Sequence, residues 1–145
     1  MHIWDLDSPI CYRLQTDLLL DDMVIDTDVS MIGFRTTVFN QSGFYLNGRK
    51  IKIRGVIRYQ SYPYMGYAAP ESLQRLDARI LKEELHVNAV RCCGEFPSQY
   101  FLDECNKRGI LVFPEVPGYR DVGDEEFREI HLKNVEISTV ISSYT

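Results

Sequence analysis

The chain has 145 residues and a formal charge of −5, about one domain's worth, with enough length for a real core. Its basic residues are scattered and no run approaches the roughly 20 apolar residues of a membrane span, so neither nucleic acid nor membrane is expected as a partner. The N-terminal MHIWDLDSP lacks a basic-then-apolar signal pattern, which favours a cytoplasmic location.

Residues 1 to about 50 have the texture of antiparallel β structure. YRLQTDLLL (12–20) and SMIGFRTTVF (30–39) read as strands, with the acidic DDMVIDTD (21–28) as the turn between them. Further on, Asn47-Gly48 inside FYLNGRKIKI is a strong two-residue hairpin signal, because both central positions of a type I′ turn need positive φ. Three or four such strands are too few to close a sandwich, and alone they would leave unpaired edges.

From Ile51 the pattern changes to strand, helix, strand, helix, strand. KIKIRGVIRY, VNAVRCCG and ILVFPEVPG are the strands, and SLQRLDARILKEELH and PSQYFLDECNKRG are the helices. This alternation predicts right-handed βαβ units on a parallel sheet, either the start of an α/β barrel or a doubly wound sheet. The first helix should begin near Ser72 and bury a stripe of Leu73, Leu76, Ile80 and Leu81. Ser98 is a natural N-cap for the second, Gly109 a left-handed terminator, and Phe101, Leu102 and Cys105 its apolar face. Asp124 can cap a last helix whose Phe127, Ile130, Ile137 and Ile141 recur at helical spacing and should pack on the sheet. The loop YQSYPYMGYAAP (59–70) has two readings, a wall of a ligand site or a self-packed surface loop.

Cys11, Cys92, Cys93 and Cys105 form no CxxC pair, and His2, His86 and His131 sit in unrelated places. The thiols therefore read as ordinary buried or half-buried side chains, and neither metal nor cofactor is expected. Reactive groups in parallel α/β folds come from the carboxyl ends of strands. That rule selects Arg58, Tyr59 and Gln60, then Arg91 and Glu95, then Glu115. By position alone, Glu95 and Glu115 could form the carboxylate pair that a retaining glycosidase holds ~5 Å apart. The preferred reading of the same spacing is a structural ion pair between Arg91 and Glu115 or Glu95. Neither a GxSxG elbow, nor a Gly-rich phosphate loop, nor a Cys–His pair at neighbouring strand ends is present.

An ordered set of motifs adds to this reading. Trp4, Pro9 and Tyr12 in W-x-x-x-x-P-x-x-Y, IGFR (32–35), FYLNGRKIKIRGV (44–56), NAVRC (88–92) and CNKRGILVFPEVP (105–117) together resemble glycoside hydrolase family 2. That family holds β-galactosidases, β-glucuronidases and β-mannosidases. The resemblance implies an α/β fold, the first three βα units of a (β/α)8 TIM barrel (46–145) preceded by the last strands of an immunoglobulin-like β-sandwich (1–45). It implies a parent that hydrolyses terminal β-glycosidic bonds by a retaining two-glutamate mechanism, with a β-glycoside carbohydrate as its partner. In the family the acid/base glutamate follows barrel strand four and the nucleophile follows strand seven. This chain ends after the third helix, so both are expected to be absent and the chain alone inactive.

Arg91 matches the family's arginine at the end of strand two, which supports the nucleophile from below. Elsewhere the pattern departs. Tyr59-Gln60 stands where a His-Glu pair is frequent, and Cys93-Gly94-Glu95-Phe96 where Ser-His-Tyr-Pro is common. Pro114-Glu115-Val116-Pro117 replaces Asp-Glu-Ala-Asn and keeps only the glutamate. Arg91, Tyr59, Gln60, Glu95 and Glu115 are thus the candidates for supporting a substrate site, with no catalytic residue among them. The alternative from another class is a non-catalytic carbohydrate-binding or protein-interaction module on this scaffold. Open sheet edges further predict self-association or a homo-oligomer.

Overall fold

The computed structural model describes residues 1–118, 120 and 122–142, with side chains up to residue 138. Its strands fall into three sheets. β1 (Tyr12–Leu20) and β2 (Met23–Ile32) form an antiparallel hairpin. β3 (Thr37–Asn40), β4 (Gly43–Leu46) and β5 (Arg49–Ile51) form an antiparallel meander. β6 (Gly55–Arg58), β7 (Ala89–Cys92) and β8 (Leu111–Phe113) form a parallel sheet in that order. Helix α1 (Glu71–Glu83) links β6 to β7, α2 (Gln99–Arg108) links β7 to β8, and α3 (Glu125–Ser142) follows. The βαβ alternation expected from Ile51 onward is therefore present.

The turn expected over DDMVIDTD is confined to Asp21 and Asp22, at φ 49° and 63°, and Met23 already opens β2. Two consecutive positive-φ residues reverse the chain, and the β-branched Val24, Ile25 and Thr27 then favour extension. Asn47 (φ 52°) and Gly48 (φ 78°) make the second tight turn, with Leu46 opposite Arg49.

The single strand expected over KIKIRGVIRY is broken into β5 and β6. Asn88, buried beside β7, holds the break: its Oδ1 accepts from Arg54 N at 2.7 Å, and its Nδ2 donates to the Lys52 carbonyl at 3.0 Å. A buried amide that satisfies both backbone groups turns the chain from an antiparallel partner to a parallel one at little cost.

The buried face of α1 is Gln74, Ala78 and Leu81, whereas Leu73, Leu76 and Ile80 are only half-buried. The same spacing rule applies, but the stripe is rotated because Gln74 is drawn inward by an arginine described below. α2 buries Phe101, Leu102 and Cys105 as expected, and ends at Gly109 in the left-handed conformation, φ 69° and ψ 53°. Ser98 occupies its N-cap without a side-chain cap bond. Asp124 Oδ1 does accept from Phe127 N, at 3.0 Å, at the start of α3. That helix does not pack on the sheet as expected: Ile130 and Ile137 are 54% and 49% exposed, and the side chain of Ile141 lies outside the described residues. Helical spacing makes a stripe, but only a facing surface buries it.

Two apolar clusters hold the elements together. Ala78, Leu81, Val90, Cys92, Phe101, Cys105 and Ile110 lie between the two helices and one face of the parallel sheet. Trp4, Leu6, Phe44, Leu46, Ala89 and Leu111 join the N-terminal segment and the meander to the amino ends of β7 and β8. Trp4 is 1% exposed, and its indole N–H donates to the Asn106 carbonyl at 2.7 Å, which satisfies the one polar atom it buries. A cation network adds to the helix packing: Arg75 bridges Glu71 and Glu104, and Arg108 bridges Glu104 and Glu83. Cys92, Cys93 and Cys105 are buried thiols, and Cys11 is half-buried. Among the described residues, no helix is long and apolar enough to cross a membrane.

Candidate functional site

Sheet register sorts the strand-end residues onto two faces. Ile57, Arg91 and Phe113 sit side by side across the three strands, and Arg58 pairs with Cys92. Side chains alternate along a strand, and Val90 and Cys92 belong to the cluster beneath the helices. Arg91 therefore leaves the sheet on the face without helices, between Ile57 and Phe113, while Arg58 points toward α1 and α2.

Arg58 is 7% exposed and lies over the Phe101 ring at 4.1 Å. Its Nε donates to Asp77 Oδ2 at 2.8 Å, and its Nη2 donates to Gln74 Oε1 at 2.8 Å and to the Tyr62 hydroxyl at 3.4 Å. Tyr62 in turn donates to Asp77. Each of the three guanidinium nitrogens donates to protein, Nη1 to Gln60, so Arg58 fastens the loop after β6 to α1 rather than presenting charge to a ligand.

Gln60 is also internal. Its Oε1 accepts from Arg58 Nη1 at 3.2 Å and from Ser98 N at 3.3 Å, and its Nε2 donates to the Tyr67 carbonyl at 3.4 Å. Its backbone N–H donates to Glu95 Oε1 at 2.6 Å. One residue, through its side chain and its backbone N–H, thus gathers the tyrosine-rich loop, the β7 loop and the start of α2. Burial pushes the Glu95 carboxyl above the ordinary carboxylate range, against the opposing pull of the Gln60 N–H and the Arg58 charge.

On the open face, Arg91 donates to Glu115 Oε1, and Glu115 Oε2 accepts from Gly94 N at 2.8 Å. The Gly94 N–H first, and Arg91 second, hold Glu115 below the ordinary carboxylate range. The Arg91 side chain keeps 53% of its surface exposed, with Tyr59 and Cys93 close enough to affect its charge. Chemically this is a fixed cation beside an ionised carboxylate. It can orient hydroxyls or an anionic group, and Glu115 in this state is no proton donor.

The five candidates therefore separate. Arg91, Glu115 and Tyr59 share the open face at the carboxyl end of the sheet, while Gln60 and Glu95 are joined to each other in the loop layer behind it. The ion pair preferred from the sequence is formed, by Arg91 with Glu115; Glu95 takes the Gln60 N–H instead. Gln74, Asp77 and Tyr62 were absent from the sequence reading. Gln74 had a signal, since it lies in register with Ala78 and Leu81 at i, i+4 and i+7. Asp77 and Tyr62 had none, because their partner is Arg58, whose burial no local pattern announces.

Residues 38–141 match the family described as glycosyl hydrolases family 2, TIM barrel domain. The β-galactosidase of Thermoanaerobacterium thermosulfurigenes is 44% identical over 133 residues, covering 92% of this chain and 18% of that protein. The β-galactosidase of Thermoanaerobacter pseudethanolicus is 40% identical over 134 residues, with the same two coverages, 92% and 18%. Among solved structures, a β-glucuronidase of Parabacteroides merdae superposes with a TM-score of 0.77 at 30% identity, over 88% of this chain and 16% of that one. The chain thus spans under a fifth of the length of these relatives. On the family match, the relatives and the βαβ sheet together, the chain belongs to glycosyl hydrolase family 2.

Proposed function

We propose that this chain is a portion of a retaining β-glycosidase, and that β6, β7 and β8 are the first three strands of its eight-stranded barrel. The observation that carries this is the Arg91–Glu115 pair, on the helix-free face and at the carboxyl end of the sheet. In barrels that face and that end meet the substrate. Arg91 and Tyr59 form the exposed part of the rim, Glu115 fixes Arg91, and Gln60 with Glu95 braces the loops behind them. Glu95 and Glu115 are not the catalytic pair in this reading: Arg91 and the Gly94 N–H occupy both oxygens of Glu115, and Glu95 is turned back onto the Gln60 N–H. The two catalytic carboxylates are contributed by later strands of the parent polypeptide.

The hairpin β1–β2 then belongs to a preceding immunoglobulin-like domain. The meander β3–β5 goes with the barrel, since Phe44 and Leu46 pack with Ala89 and Leu111 and the family match starts at residue 38. In this reading the domain boundary falls at the link between β2 and β3 rather than between residues 45 and 46. Terminal β-galactosides are the first substrates to test, following the two β-galactosidase relatives. A panel of chromogenic β-glycosides, assayed on the parent polypeptide with the product anomer read by NMR, checks the reading. It predicts hydrolysis with retained configuration; inversion, or inactivity on every β-glycoside, refutes it.

A further inference from the structure

The opposite end of the parallel sheet carries a feature of different charge. A cavity of about 380 Å³ opens where the β5–β6 connection passes the start of β7 and the end of α1. That volume falls in the range of small-ligand pockets. Arg49, Lys50, Lys52, Arg54 and Lys82 line it with His86, and Asp7 is the one carboxylate among the lining residues. In a chain with 16 basic and 21 acidic side chains, such a concentration needs a cause.

Pairing and helix capping account for two of the five cations. Arg49 meets Asp5 at 2.7 Å. Lys82 Nζ donates to the Leu6 and Gly109 carbonyls at 2.8 and 3.1 Å, closing the end of α2. Among the described residues, Lys50, Lys52 and Arg54 meet no carboxylate at salt-bridge distance. Their backbone is nonetheless fixed, because Asn88 clamps Lys52 and Arg54 from inside the fold. His86, at φ 51°, turns the chain out of α1 while Val87 N closes the helix end on the Leu81 carbonyl at 3.1 Å. Burial holds Lys82 below the ordinary lysine range, and Arg54 repels it further against the pull of Asp7. A bound anion would relieve that repulsion.

We infer that this cavity binds a small ligand carrying two or more phosphate or sulfate groups. The Arg54 fork can take two oxygens of one tetrahedral anion, and the lysines supply point charges to the next. Leu6, Ile51 and Val87 leave a modest apolar wall for the body of the ligand. The site lies at the amino ends of the strands, away from Arg91 and Glu115, so it stands independently of the glycosidase reading.

Calorimetric titration of the parent polypeptide with pyrophosphate, and separately with a disulfated disaccharide, tests the inference and distinguishes the two sources. Single-site binding of at least one probe is expected, weakened roughly ten-fold or more in Lys52→Glu/Arg54→Glu through lost charge-assisted bonds. It should be unchanged in Lys107→Glu, an exposed cation on α2 outside the cavity. Hydrogen exchange on the unaltered chain needs no variant to fold, and the probe should protect residues 49–54 and 82–88. Absence of saturable binding by both probes, protection elsewhere, or an equal loss in Lys107→Glu would overturn the assignment.

Discussion

Replacing Arg58 with methionine keeps the side-chain stem over Phe101 and removes the guanidinium. The Gln74 amide oxygen, on a residue 1% exposed, then lacks its donor at a cost of about 1–3 kcal/mol. Breaking a fully buried ion pair costs about 3–5 kcal/mol. The Asp77 side chain is 27% exposed, so water recovers much of its share, leaving about 1–2 kcal/mol. Loss of the cation over the ring adds about 1 kcal/mol. These terms overlap, and together they give about 3–5 kcal/mol, a large part of the ~5–15 kcal/mol that stabilises a typical domain. Urea unfolding followed by circular dichroism and by the fluorescence of Trp4, the single tryptophan, measures the change and checks that both probes report one transition. Adding Gln74→Leu should restore about 1 kcal/mol or more, since removing both partners spares the orphaned acceptor. A cost below about 1 kcal/mol for Arg58→Met, or a double variant weaker than the single one, refutes the network account.

Gly109→Ala should cost about 2 kcal/mol or more, because the position is left-handed and a Cβ there would overlap the Leu6 carbonyl oxygen; the same urea melts measure it. Carboxyl NMR titration should place Glu115 below the ordinary range and Glu95 above it. Glu115, depressed in the fold, contributes stability that is present above its unfolded pKa and lost as pH falls through its folded pKa. Glu95 acts oppositely: the fold gains stability as pH falls through its raised pKa toward the unfolded value. In Arg91→Ala the Glu115 pKa should rise yet stay depressed, since the Gly94 N–H is the larger cause; a full return to the ordinary range contradicts this. Burial pushes the Cys92 thiol up to about 11 and Cys105 well above its usual range. A thiol reagent at pH 8, read by mass spectrometry, should therefore label both only in urea, and prompt labelling of the native chain argues against the packing described.

Local chemistry made much of this fold legible. Asn47-Gly48 and Gly109 each demand a backbone conformation that few residues adopt, and both stand where expected. The βαβ alternation followed from the change of apolar period at Ile51. Other features depended on partners distant in sequence. KIKIRGVIRY offers only Gly55 as a local sign of a break; what holds the break is Asn88, 34 residues after Arg54. The rotation of α1 comes from Gln74 reaching a strand-end arginine that the positional rule had grouped with reactive residues. For the candidate site, the rule of strand ends points to the loops after β6, β7 and β8, but it cannot tell the two faces of a sheet apart. Register does so, and it separates Arg91 from Arg58.

The central claim is that this chain supplies the fixed rim of a sugar site and not its catalytic carboxylates. Light-scattering chromatography of the chain, with a chromogenic β-glycoside panel assayed on the same peak, tests it most directly. The exposed Ile57 and Phe113 on the open sheet face predict a self-associated species, and the account predicts no turnover from it. A monomer that cleaves a β-glycoside, and loses that activity in Glu95→Gln or Glu115→Gln, would contradict it.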